Sequence, residues 1–306
     1  LGPGLNVKRS PLCGRSFEYF SEDPYLSGKM AAAYVRGIQE NGIAACPKHF
    51  AVNSQELRRM ASNSVLDERT LRELYLTAFE IVVKEAHPKS IMSAYNKVND
   101  TYANENHHLL VDILRKEWGF DGAVVTDWGG SNDHVEGVKN GSTLEMPSPG
   151  LGGARKLLKA VAEGSLTEQE IDLRVDELLE LVLSTTAAME KAPRSFDEKA
   201  HHELAQRAAA ESIVLLKNEG GILPLKHGKK VALIGDFALT PRYQGAGSSM
   251  VNPTRVDSLK DAMEAAELDM VGYCAGYERS GKPNKAYLDE AVSQARMADV
   301  VILCIG

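Results

Sequence analysis

The strongest constraint in this chain is a repeated alternation. Short apolar runs, each ending in polar or aromatic residues, alternate with amphipathic stretches of helical period along residues 5–189. Extended segments are predicted near residues 5–9, 43–46, 90–94, 122–126 and 143–146. They end, in order from the second, at Pro47-Lys48-His49-Phe50, Tyr95-Asn96, Asp127-Trp128 and Glu145-Met146-Pro147. Helices are predicted over residues 25–41, with Ala31, Ala32, Val35 and Ile38 on one face, and over 67–85, 109–118 and 133–140. Two more follow, the second opened by Thr167 and Glu170 at capping-box spacing. Alternation of this kind implies a parallel sheet with right-handed crossovers. Polar strand ends point to a TIM-type (β/α) barrel, whose active site gathers at the carboxyl ends of its strands. About five strands are visible where such a barrel has eight, which fits a missing N-terminal segment. An open doubly wound sheet is the competing layout.

Residues 190–200 read as a linker, and a second αβ unit begins after it. The expected division is 1–192 for the barrel and 193–306 for the linker and the start of the second domain. Helices are expected over 202–211, 257–266 and 285–297, and extended segments over 213–217, 230–234, 270–273 and 300–305. With 35 basic and 42 acidic residues the net charge is −7, which argues against a nucleic-acid surface. No apolar run is long enough to span a bilayer. Cys13, Cys46, Cys274 and Cys304 lack metal-type spacing and are read as buried thiols, with a Cys13–Cys46 bridge left open. The chain opens on Leu1 without a charged leader and stops on an apolar run. Both ends of a longer protein are therefore expected to be missing. A cytoplasmic location is expected ahead of a secreted one, with a lost signal peptide still an alternative.

Arg15, Lys48, His49, Tyr95, Asp127 and Glu145 cluster at the predicted strand ends. A carboxylate ringed by cationic and hydroxyl groups suits a polyol substrate. Sugars need many hydrogen-bond partners, and a carboxylate to meet positive charge developing at the anomeric carbon. Trp128 adds an apolar platform for a sugar face. Each residue also has a plain structural reading: Lys48 as an ion-pair partner, His49 and Tyr95 as core, Glu145 as a cap or barrel ion pair. Gln244-Gly245-Ala246-Gly247-Ser248-Ser249 follows an extended segment, but it lacks the spacing of a phosphate-binding loop.

The segment from Gly14-Arg15-Ser16-Phe17-Glu18-Tyr19-Phe20 to Pro24 resembles a signature of glycoside hydrolase family 3. So do Lys48-His49-Phe50 with Asn53, Gln55, Glu56 and Arg59, the run from Asp67 to Glu73, Met92-Ser93-Ala94-Tyr95-Asn96, and Val125-Thr126-Asp127-Trp128-Gly129. Glu211-Ser212-Ile213-Val214-Leu215-Leu216-Lys217-Asn218 and Leu223-Pro224-Leu225 resemble the start of the family's second domain. The resemblance implies a barrel followed by an α/β sandwich, with the active site between them. It implies that Asp127 is the nucleophile of a retaining mechanism. By likeness, Arg15, Lys48, His49 and Tyr95 line the subsite for the non-reducing sugar, Met92 and Trp128 form its walls, and Arg59 supports it. The stretch 244–249 would border the mouth.

The chain departs from the family pattern in three ways. Thr143 stands where an Asp is usual, so neither it nor Glu145 is given a chemical role. The N-acetylhexosaminidase branch, with its His–Asp pair, is disfavoured, because Ala51-Val52-Asn53-Ser54 follows Phe50. In the β-glucosidase branch the acid/base is a Glu of the second domain, expected beyond Gly306. The family's sugar-binding Asp would lie upstream of Leu1. The resemblance thus implies a β-glucosidase acting on β-glucosides and cello-oligosaccharides, with no metal or other cofactor. A β-xylosidase or α-L-arabinofuranosidase of the same family is the alternative, and so is a catalytically incomplete carbohydrate-binding fragment. Oligomeric state is not legible.

Overall fold

A computed structural model describes every residue except 194, 246 and 267. The expected linker 190–200 and the stretch 244–249 each include one residue outside that set. The chain divides into two units, Leu1–Phe196 and Asp197–Gly306.

In the first unit, α1 (Pro24–Glu40) starts where the Asp23 side chain accepts the Tyr25 N–H and Pro24 takes the first helical position. A two-residue strand β1 (Asn63–Ser64) precedes a helix, α2, that covers residues 68–86 and has a π-type segment at Leu71–Leu76. Asp67 caps it by accepting from Thr70 N at 2.8 Å. A Cβ at position 28 of α1 would lie 2.7 Å from Ile81 Cδ1 and 3.2 Å from Ala78 Cα, so the two helices close together only over Gly28. Next come β2 (Ser90–Met92), β3 (Lys97–Val98), β4 (Thr101–Tyr102), the π-type helix α3 (His108–Glu117) and β5 (Ala123–Val125). Then follow α4 (His134–Lys139), α5 (Leu151–Ala162) and α6 (Glu168–Met189), the last opened by the Thr167–Glu170 capping box.

Gly4 bridges Lys48, Phe50 bridges Ser93, β2 pairs with β5, and Val125 bridges Leu144, all parallel and in chain order. Gly4 also bridges Tyr19 in parallel, so the segment at Tyr19 joins this array out of chain order. Among the described residues this array is an open arc and not a closed ring. Three expected strands, near 5–9, 43–46 and 143–146, shrink to single bridges at Gly4, at Lys48 with Phe50, and at Leu144. Side chains take over ladder positions there. Asn6 donates to His49 O at 3.0 Å and accepts His49 N–H at 2.8 Å. Thr126 Oγ1 accepts Met146 N–H at 2.9 Å, and Thr143 Oγ1 accepts Val124 N–H at 3.0 Å. A small sheet, β1 with β3 and β3 with β4, was not anticipated; its turn uses Asn99 and Asp100 at φ of 48° and 74°.

On the helix side of the arc, Phe50 packs edge-on to Phe79 and Trp118 at centroid distances of 5.2 and 5.9 Å, within a core that includes Ile91, Val124 and Leu114. Cys46, Met92 and Val125 form a separate buried cluster with Leu144 and Met146. All four cysteines are free thiols, so the Cys13–Cys46 bridge is absent.

The second unit holds α7 (Glu198–Ser212), β6 (Val231–Ile234), α8 (Leu259–Ala265), β7 (Met270–Cys274), α9 (Lys285–Met297) and β8 (Val300–Leu303). Its sheet is parallel, in the order β7-β6-β8. The expected extended segment 213–217 has no regular structure, and Leu216 is 92% exposed. A strand exists only where a neighbour completes its hydrogen bonds, and no described residue does so there. No helix among the described residues is long and apolar enough to cross a membrane.

Phe50→Ala is expected to cost about 3–5 kcal/mol, from lost burial plus the cavity left behind. Denaturant titration followed by tryptophan fluorescence measures it; a loss below about 1 kcal/mol would mean that the site collapses around the smaller side chain.

Candidate active site

Asp127 is the second residue after β5 and follows the fully buried Thr126, whose hydroxyl is tied to Met146 on the neighbouring segment. The turn beyond it is tight: Gly130 N–H donates to Asp127 O at 2.8 Å, and Gly129 sits at a φ of 77°. Asp127 Oδ1 accepts the Trp128 N–H at 2.7 Å. Oδ2 is buried, has no hydrogen-bond partner, and lies 3.4 Å from His49 Nε2. The Trp128 side chain stands 56% exposed beside it.

The structure brings the other expected residues to the same place through ion pairs. Glu18 is shared by Arg15, through Nε, and by Lys48, whose Nζ is 3.3 Å from Glu18 Oε2. Glu56 is shared by Arg15 at 3.6 Å and Arg59 at 2.6 Å. Arg15 also places Nη2 3.0 Å from His49 Nε2. The Arg59 guanidinium lies 4.4 Å above the Tyr95 ring, and Tyr95 OH donates to Trp128 O at 2.8 Å. Three cations, Arg15, Lys48 and Arg59, thus share two carboxylates, Glu18 and Glu56. Pairing of this kind lets charged groups remain partly buried.

The titration shifts follow from this packing. Burial holds His49 well below its ordinary value, and the positive charges of Arg15, Lys48 and Arg59 add to the effect. The His49–Asp127 contact is therefore one between a neutral imidazole and a carboxylate. Burial, followed by the Asp127 charge, pushes Tyr95 up to about 12, so it remains a phenol and a donor.

Met92 is only 4% exposed and packs with Cys46 and Val125. Among the aromatic and apolar residues expected as walls, Trp128 is the one that meets solvent. Glu145 Oε2 pairs with His134 Nδ1 at 2.7 Å, and Thr143 Oγ1 donates to Glu177 Oε2 at 2.5 Å. Three contributors were not singled out from the sequence: Glu18, Glu56 and Tyr19, whose OH is 3.1 Å from His49 Nδ1. Three closely placed cations with a single assigned carboxylate were the available signal for the two glutamates. A cavity of about 600 Å³ lies behind Asn53 and Glu56, lined also by Arg9, Cys13 and Tyr75; it reaches neither Asp127 nor His49. No group of three or more His, Cys, Asp or Glu among the described residues is arranged to hold a metal ion.

His49 generates a pH prediction. Its folded pKa lies below its ordinary value of about 6.5, so in that window the unfolded chain binds a proton that the folded chain does not. Stability therefore falls as pH drops through about 6.5. The urea midpoint is expected to fall between about pH 7.5 and about pH 5, and to fall less in a His49→Gln variant. Parallel curves would remove His49 as the cause.

Residues 1–181 match the profile described as glycosyl hydrolase family 3 N terminal domain, and residues 213–306 match that of the glycosyl hydrolase family 3 C-terminal domain. Thermostable beta-glucosidase B of Acetivibrio thermocellus is 47% identical over 310 residues, covering 100% of this chain and 41% of that protein. Exo-alpha-(1->6)-L-arabinopyranosidase of Bifidobacterium longum is 43% identical over 316 residues, covering 100% of this chain and 41% of that protein. The crystal structure of a Bifidobacterium adolescentis GH3 beta-glucosidase superposes with a TM-score of 0.92 at 42% identity, covering 99% of this chain and 44% of that one. The chain spans about two-fifths of the length of the curated relatives it matches. On the strength of both domain matches and these identities, the chain belongs to glycosyl hydrolase family 3.

Proposed function

We propose that this chain carries the nucleophile half of a retaining β-glycosidase, with β-glucosides and cello-oligosaccharides as substrates. The observation that carries the reading is Asp127 itself. Its Oδ2 is buried without a hydrogen bond, it faces a neutral imidazole, and an exposed indole adjoins it. In this scheme a carboxylate oxygen of Asp127 attacks the anomeric carbon as the aglycone leaves, and water then releases the sugar from the covalent glycosyl-enzyme. Lys48 supplies a donor for sugar hydroxyls, the Tyr95 oxygen an acceptor, and Trp128 offers an apolar face to the ring. The arc of five parallel segments is read as part of a (β/α) barrel, and the second unit as part of an α/β sandwich.

Retention needs a second carboxyl group about 5–5.5 Å from the first, acting as acid and then as base. Glu18 and Glu56 are each bound by two cations, which suits counter-charge and not proton donation. Neither glutamate is therefore proposed as the acid/base. A second reading is an α-L-arabinopyranosidase, favoured by the 43% identity to the Bifidobacterium longum enzyme.

The test uses the full-length protein. After incubation with a 2-deoxy-2-fluoro-β-glucoside, peptide mass spectrometry is expected to find the sugar on Asp127. An adduct elsewhere, or none, overturns the nucleophile. Asp127→Ala is expected to lower kcat by at least about 10³-fold, equal to about 4 kcal/mol of barrier. A panel of nitrophenyl glycosides decides the sugar: arabinopyranoside turnover above glucoside turnover selects the second reading. No turnover of any member leaves a carbohydrate-binding protein.

A further inference from the structure

Gly4 lies between two segments of the candidate site. It makes parallel bridges to Tyr19 on one side and to Lys48 on the other. A Cβ at position 4 would lie 2.8 Å from Tyr19 Cδ1 and 3.3 Å from Glu18 Cγ, so the Glu18 stem packs directly over this bare backbone. Its carboxylate then ends between two cations. Arg15 donates to Oε1 through Nε, and Lys48 Nζ is 3.3 Å from Oε2. The two cations differ in how far they depend on it. Arg15 keeps His49 Nε2 at 3.0 Å and Glu56 Oε1 at 3.6 Å as further partners. Among the described residues, Glu18 is the only carboxylate that pairs with Lys48. Lys48 also shares this space with the positive charge of Arg15, because both touch the one carboxylate. An ammonium on a flexible four-carbon stem, repelled by a guanidinium, swings to solvent once its counter-charge is gone. Glu18 engages one of the three ammonium protons, so two remain to donate. The Lys48 and Glu18 side chains are each 15% exposed, which leaves those donors within reach of a ligand.

We propose that Glu18 is a positioning residue for Lys48: it holds the ammonium beside Arg15 before a sugar arrives, and so sets the affinity of the site for that sugar. The proposal rests on the reading of this site as a sugar subsite. A long side chain that must be ordered on binding costs affinity, and one ordered in the free protein does not. A contact to a sugar hydroxyl that persists through the reaction strengthens ground state and transition state alike. Glu18 therefore acts on KM and on the binding of free sugar, and hardly on kcat. A residue that only supports the fold would lower thermal stability without that signature, and one that shaped the surroundings of Asp127 would lower kcat.

The test is a double-mutant cycle in the full-length protein with Glu18→Gln, Lys48→Met and the two combined. The substrate is the nitrophenyl glycoside that the wild type turns over fastest, and the matching free sugar serves as competitive inhibitor. Glu18→Gln is expected to raise KM and the inhibition constant on the order of tenfold, with kcat within about twofold of wild type. In the Lys48→Met background the same change is expected to add less than about twofold, because the group it positions is gone. Equal effects in both backgrounds overturn the proposal, as does an unchanged KM, or a loss confined to kcat. Should Glu18→Gln fail to fold, Glu18→Asp takes its place in the cycle, since the shorter stem still carries the charge but draws it back from Lys48. A wild type that turns over no glycoside and binds no free sugar defeats the sugar reading itself, and the proposal with it.

Discussion

One stretch of backbone, residues 46–50, holds the first unit together because it pairs on both sides. Cys46 N–H donates to Gly2 O and Lys48 N–H to Pro3 O on one side, while Phe50 N–H donates to Met92 O and Met92 N–H to Pro47 O on the other. Its side chains then go to opposite environments. Phe50 enters the aromatic core under the helices, and Cys46 joins the second buried cluster. Lys48 and His49 project to the site. Fold and candidate site therefore share one segment, and a shift of its register would displace the Phe50 ring and the neighbours of Asp127 together.

Charge balance is the second organising constraint. Arg15, Lys48 and Arg59 are held around His49 because Glu18 and Glu56 each bind two of them. Either glutamate alone would leave a partly buried cation without a partner, and burial penalises that state heavily. Burial, with the same positive charge added to it, keeps His49 neutral.

Much of this was legible from residues alone, where the cause is local. Asp23-Pro24, Asp67 and Thr167-Glu170 announce helix starts, and all three act as caps in the structure. The apolar run before Asp127 announces a strand, and β5 ends two residues before it. Elements that depend on a neighbour were less legible. The apolar run 213–217 reads as a strand but stands exposed and irregular, because strand structure requires a partner. Segments 5–9 and 143–146 pair through Asn6, Thr126 and Thr143 side chains in place of a regular backbone ladder, a substitution invisible to periodicity. The hairpin around Asn99-Asp100 carried a turn signal that was there to be used.

The sequence by itself determined the main helices and their starts, the strands β2, β5, β6, β7 and β8, and the polar residues that follow the apolar runs. These follow from local periodicity, side-chain chemistry and motif likeness, which need no knowledge of distant partners. Only the tertiary structure decided which carboxylates neutralise which cations, that Met92 is buried while Trp128 meets solvent, and that Tyr19 stands behind His49. Those facts depend on contacts between residues 30 or more positions apart, as between Tyr19 and His49 or Arg15 and Glu56, and no one-dimensional pattern records which distant groups the packing brings within hydrogen-bond reach.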